Sequence, residues 1–267
     1  MKLIACSLVL FVWSIWNRHA ISKPVIGALG SNEAFVLDGE DVIPGEFPHQ
    51  LLLERRNLNK WGLICGAVLI SNVYALTAAH CVENTEVKRL RVVAGLHDVT
   101  NRNVSQHHPD FNEGPEFLTN DLAILTLSDG LIVNDYVQPI QWISQENITL
   151  DGYSCTISGW GKDESTNHPE VLQKVSISLI SNQRCDDILS IFYNVKTYPG
   201  HLCGYEPVKG SCKGDSGGPL TCYYKEKAYL AGITSWNIMG DGVCNATFPS
   251  VFARISYFNK WIVENTP

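Results

Sequence analysis

Short apolar runs divided by glycine, proline, asparagine and aspartate recur along most of this chain: Gln50–Leu53, Ala67–Ile70, Leu90–Ala94, Leu122–Leu127, Ser154–Ser158, Tyr229–Ile233 and Val251–Ile255. Runs this short, closed by turn-forming residues, predict β-strands, and their repetition predicts a barrel or a sandwich. Near the C-terminus the spacing changes. Ile255, Phe258, Trp261 and Ile262 recur at helical period and predict a terminal helix with one apolar docking face. The N-terminus follows neither pattern. Lys2 precedes an apolar run, Leu3 to Trp16, shorter than the roughly 20 residues a membrane span requires. It predicts a secretory signal peptide over residues 1–20, cut near Ala20. Residues 21–35, with Pro24, Gly27 and Gly30 and no helical period, read as a propeptide or linker. One globular domain over 36–267 is left, secreted and free of the membrane once the signal is removed.

Composition narrows the function. Of 267 residues, 27 are acidic and 20 basic, a net charge of -7. No basic stripe stands out, which argues against a nucleic-acid partner. Nine cysteines are present; Cys6 falls in the signal segment, leaving Cys65, Cys81, Cys155, Cys185, Cys203, Cys212, Cys222 and Cys244. An even number in a secreted chain predicts disulfides, and without a C-x-x-C pair zinc binding is not expected. Asn103, Asn147 and Asn245 head N-x-S/T triplets and are candidate glycosylation sites.

Amide hydrolysis near neutral pH requires a nucleophile, a base, a group that orients the base, and donors for the developing oxyanion. Gly214-Asp215-Ser216-Gly217-Gly218-Pro219 frames a serine with glycines, so that backbone amides can approach a substrate carbonyl. Leu76-Thr77-Ala78-Ala79-His80-Cys81 offers a histidine, and Asn120-Asp121-Leu122-Ala123-Ile124-Leu125 an aspartate at the mouth of an apolar run. Taken singly, the serine motif is the strongest, and an incidental serine in a glycine-rich turn is its lesser reading; the histidine reads more readily as a core residue and the aspartate as a turn or capping residue.

Together they resemble the chymotrypsin–trypsin family of serine proteases. The order His80, Asp121, Ser216 is that family's, and so are Pro44-Gly45-Glu46-Phe47-Pro48, Cys65-Gly66, Ser158-Gly159-Trp160-Gly161 and Ser235-Trp236. The resemblance runs from about Val36 to the C-terminus. It implies an all-β fold: two packed antiparallel Greek-key β-barrels with a C-terminal helix and the active site in the cleft between them. It implies that Ser216 is the nucleophile, His80 the base, Asp121 its orienter, and the amides of Gly214 and Ser216 the oxyanion hole. It implies disulfides Cys65–Cys81, Cys155–Cys222, Cys185–Cys203 and Cys212–Cys244. Partners would be polypeptide substrates and protein protease inhibitors; a monomer without cofactor is expected. A silent binding protein on the same scaffold is a rival reading, against which the intact residues count. A lipase or esterase is another, since Gly214 to Gly218 fits G-x-S-x-G, but the surroundings are β-rich and the histidine comes first.

The resemblance also implies a precursor. Val36-Leu37-Asp38-Gly39 stands where activated relatives begin, so the new ammonium of Val36 would pair with Asp215. Leu37 and Asp38 are larger than usual there, and Phe35 replaces the familiar basic residue before the cut. The resemblance places specificity on Gly210 and Ser211 at the pocket base and on Ser235, Trp236, Asn237 and Ser250 along its walls. Gly210 brings no carboxylate, which disfavours lysine or arginine substrates. Phe35 points to large apolar residues; the size of Asn237 and Ser250 leaves elastase-like cleavage after small ones open, and the long loop from Asn237 to Val243 could reshape the rim. No calcium site is expected, because the span from Gly95 to His108 is short and places Leu96 where a carboxylate would stand. Nor is a metal site expected at His107-His108, whose side chains would point to opposite strand faces.

Overall fold

The computed structural model describes residues 38–95, 99–107, 118–146, 148–162, 169–191, 193–240 and 243–267. In chain order its strands are β1 (Glu40–Asp41), β2 (Gln50–Asn57), β3 (Lys60–Leu69), β4 (Tyr74–Thr77), β5 (Leu90–Ala94), β6 (Val99–His107), β7 (Ala123–Leu127), β8 (Gln141–Trp142), β9 (Ser154–Gly159), β10 (Gln173–Ile180), β11 (His201–Tyr205), β12 (Pro219–Tyr224), β13 (Lys227–Trp236), β14 (Met239–Gly240), β15 (Val243–Cys244) and β16 (Ser250–Arg254). The helices are α1 (Ala79–Val82), α2 (Asn182–Leu189) and α3 (Ile255–Asn265). Each of the seven apolar runs read from the sequence coincides with a strand, running one residue past it at Ile70, Leu122 and Ile255, and the terminal helix is where its spacing put it.

Six strands close a barrel in the order β2-β3-β4-β7-β6-β5. Closure removes free sheet edges, and Leu51, Leu53, Ala67, Leu69, Leu76, Leu90, Val92 and Ile124 fill the interior with almost no exposure. The second sheet runs β1-β10-β11-β16-β13-β12-β9 and is barrel-like, since β9 pairs with both β12 and β10. Its core gathers Ile157, Val175, Ile177, Leu179, Leu202, Leu220 and Phe252. One pairing departs from the expected antiparallel pattern: β8 runs parallel to β13, because it belongs to the passage between the two sheets and not to a hairpin. Helix α3 buries Ile255, Phe258 and Ile262 in the cluster that also fills the closed barrel. Helix α2, unforeseen, is opened by Ser181, whose Oγ accepts from the Arg184 N–H at 3.2 Å.

All four disulfides join the expected partners. Each contributes on the order of 2–4 kcal/mol by restricting the unfolded chain. Cys65–Cys81 ties β3 to the helix that carries His80, and Cys212–Cys244 ties the turn before Ser216 to β15.

Candidate active site

The candidate site lies where the turns of the two sheets meet. Strand β4 ends at Thr77 and passes directly into α1, whose second residue is His80. Asp121 enters from the turn before β7 and is almost wholly buried. Its Oδ1 accepts from the His80 backbone N–H at 2.9 Å and its Oδ2 stands 2.7 Å from His80 Nδ1. Since a carboxylate can only accept, the imidazole proton sits on Nδ1, leaving Nε2 without a proton. Burial by itself would lower the pKa of His80. The hydrogen bond and charge of Asp121, with a smaller pull from Glu83, outweigh it and raise the imidazole above its ordinary 6.5.

Ser216 belongs to the turn that leads into β12. The turn touches the closed barrel so closely that a Cβ on Gly217 would lie 2.2 Å from Thr77 Oγ1 and 2.4 Å from the Gly66 carbonyl. Only glycine fits, and the contact sets Ser216 beside the segment carrying His80. The Ser216 carbonyl accepts from the Gly66 N–H at 2.8 Å, across the same seam. His80 Nε2 has Cys81 Sγ at 3.7 Å as its partner among the described residues. Catalytic hydrogen bonds in unliganded sites are commonly long and tighten only around substrate. Within the turn, the N–H groups of Asp215, Gly217 and Gly218 donate to Cys212, Thr234 and Asp215. Those of Gly214 and Ser216 have no acceptor among the described residues, and Gly214 holds φ 104°, a left-handed conformation natural to glycine.

Asp215 points the other way and is fully buried. It accepts from the N–H groups of Gly161 at 2.7 Å and Cys212 at 2.8 Å. Gly161 passes so near that a Cβ there would lie 2.4 Å from the carboxylate. No cation faces Asp215 among the described residues. Burial therefore raises it from 3.8 to about 6, against the opposing pull of the two amides. Val36, its expected partner, lies outside the described residues, as do Phe35 and Leu37.

The residues assigned to specificity also converge. Ser250 Oγ accepts from the Ser211 N–H at 3.0 Å and lies 3.1 Å from Ser211 Oγ. A Cβ on Gly210 would lie 3.0 Å from that same hydroxyl. Asn237 extends its Nδ2 to the Ser211 carbonyl, bridging the segment before Ser216 and the segment after Trp236. Ser235 behaves differently from its neighbours: its Oγ donates to Asp121 Oδ2 at 2.5 Å. The register between β13 and β16 slips between Thr234 and Trp236, and such a bulge re-aims a side chain. Sequence reasoning had Ser235 as a pocket residue and missed this bond.

Other candidates scatter. Asn103 lies on β6, and Asn245 Oδ1 accepts from the Thr247 N–H at 3.0 Å in the turn after β15. Asn147, Leu96 and His108 lie outside the described residues. The one group of metal-ligating types among the described residues is Cys65, His80 and Cys81, and a disulfide consumes both of its sulfurs.

A buried aspartate bonded to a half-buried histidine beside a glycine-framed serine, at the seam of two β-barrels, is the arrangement of a serine hydrolase of the two-barrel class. Comparison with known proteins agrees: the family description Trypsin matches residues 36–262. The chain is 34% identical to "Fibrinolytic enzyme, isozyme C" of Lumbricus rubellus over 86% of its length and 100% of that protein. It is 34% identical to "Trypsin-1" of Astacus astacus, over 86% of the chain and 99% of that protein. It is 32% identical to "Chymotrypsin-like serine proteinase" of Haliotis rufescens, over 88% and 93%. The chain belongs to the trypsin family and is a serine endopeptidase.

Proposed function

We propose that this endopeptidase is secreted as a precursor, with a signal peptide over 1–20, a propeptide over 21–35 and a protease domain over 36–267. Ser216 Oγ attacks the substrate carbonyl while His80 Nε2 takes its proton. The imidazolium then gives that proton to the leaving amine, and water repeats the sequence to release the acid and regenerate Ser216. Asp121 holds the imidazole in the required tautomer and stabilises its charged form. The amides of Gly214 and Ser216, without an acceptor among the described residues, receive the oxyanion, each worth about 3–4 kcal/mol in the transition state. The observation that carries this reading is the buried Asp121 carboxylate, whose Oδ2 meets both His80 Nδ1 and the Ser235 hydroxyl while its Oδ1 accepts from the His80 N–H.

The substrate residue before the cut is uncharged, because Gly210, Ser211 and Ser250 give a buried ammonium or guanidinium no counterion. Phe35 supports large apolar residues there, and with them autoactivation. The reach of Asn237 to Ser211 favours a second reading, cleavage after small residues. A peptide library digested by protein matured to begin at Val36, with Ser216→Ala as control, separates the two. Cuts after Phe, Tyr, Leu or Met support the first and cuts after Ala or Val the second. Cuts after Lys or Arg overturn the account of Gly210, and silence from correctly matured protein overturns catalysis.

A further inference from the structure

The backbone that delivers Asp121 is bent against its preference. Leu118 and Asn120 hold left-handed angles, φ 47° and 55°; asparagine tolerates that region, but leucine adopts it only where the surroundings impose it. Thr119 between them and Asp121 after them are buried. Two side chains, one from the approach to β11 and one from its first residue, grip this turn. The Asn120 N–H donates to the Tyr198 hydroxyl at 2.7 Å, and that hydroxyl donates to Asn120 Oδ1 at 3.4 Å. His201 Nε2 stands 3.2 Å from the Leu118 carbonyl.

A carbonyl only accepts, so the His201 proton sits on Nε2. Burial, with a weaker opposing pull from the Leu118 carbonyl, lowers this histidine to about 4 and keeps it neutral. Its Nδ1 is therefore bare, and it has no partner among the described residues. The ring leaves one buried nitrogen unsatisfied while it holds Leu118. The grip is itself rigid. The two rings meet edge to face at 4.3 Å, and the Tyr198 carbonyl accepts from the His201 N–H and from Asn182 Nδ2, both at 2.8 Å.

We propose that Tyr198 and His201 are positioning residues: they fix the left-handed turn Leu118–Asn120 and thereby set the Asp121 carboxylate against His80. The proposal rests on the reading of His80 and Asp121 as base and orienter. In the matured enzyme, Tyr198→Phe removes one hydroxyl and leaves the ring packing. We expect kcat to fall about tenfold with KM held within about twofold. The low-field proton resonance of His80 Nδ1–H should move upfield as the bond to Asp121 loosens. Adding Asn120→Gly, which removes the side-chain penalty of the left-handed angle, should restore most of the loss. An unchanged resonance and kcat in Tyr198→Phe overturn the proposal. So does a loss of kcat that Asn120→Gly leaves in place, which would make the tyrosine a support of the fold alone. Should the wild type fail to hydrolyse peptides, the catalytic reading falls, while the His80 resonance still decides whether Tyr198 positions Asp121.

Discussion

At the scale of single residues, Asp121 is held by three hydrogen bonds. It receives the His80 backbone, the His80 ring and the Ser235 hydroxyl. Each bond restricts where the carboxylate can sit, and a carboxylate so placed keeps the imidazole proton on Nδ1. Because the Asp121 pair holds the His80 pKa above 6.5, the neutral base appears only as pH rises through that raised value. The rise of kcat/KM with pH should therefore be centred above 6.5. Asp121→Asn should move it down and lower kcat by about 10⁴-fold. Ser235→Ala, which removes one charge-assisted donor, should cost about tenfold and shift the midpoint only slightly. A pH–rate series on the three proteins checks this, and an unmoved midpoint in Asp121→Asn would refute the assignment. The stability linked to the pair runs oppositely: it is complete below 6.5 and is lost as pH climbs through the folded value.

At the scale of elements, packing outweighs propensity. Helix α3 begins without a side-chain cap and ends without a basic residue in its last turn, so its stability comes from the face that holds Ile255, Phe258 and Ile262. Phe258→Ala should cost about 3–5 kcal/mol, read from urea unfolding of the Ser216→Ala protein. Lys260→Ala should change little, since its contact with Glu264 is 3.9 Å long and exposed. Comparable losses from both would mean that the helix does not depend on its buried face. That face was legible in the sequence because four apolar residues keep helical time, and so were strands whose apolar runs are continuous. Strand β10 alternates apolar and polar residues, and its burial alternates with them, a period-2 signal that reading continuous apolar runs passes over. Helix α2 was missed because eight residues are too few to show a period. The site was legible as three motifs and a family order. Its supports were not: Ser235 meets Asp121 from 114 residues away and Tyr198 meets Asn120 from 78, and no local pattern marks either.

At the scale of the whole molecule, the unresolved charge is Asp215. Its socket is complete, with two amides in place and Gly161 cut away to admit the carboxylate, yet no cation among the described residues fills it. A buried carboxylate without a counterion resists ionisation, which is why burial raises it from 3.8 to about 6. The sign of the consequence is fixed. With its folded pKa raised, the uncut chain loses stability as pH climbs from about 3.8 to about 6 and stays poorer above that. A shift of this size corresponds to about 3 kcal/mol. If cleavage after Phe35 supplies the Val36 ammonium, the pair forms, Asp215 is held ionised, and the loss is recovered. The cleaved Ser216→Ala protein should thus melt well above its uncut precursor at pH 7, and the gap should close toward pH 4, where Asp215 is neutral in the precursor. Asp215→Asn should abolish the pH dependence of the gap and leave the cleaved form inactive when Ser216 is present. A gap that persists unchanged at pH 4 would show that the new terminus stabilises the domain by some contact other than Asp215.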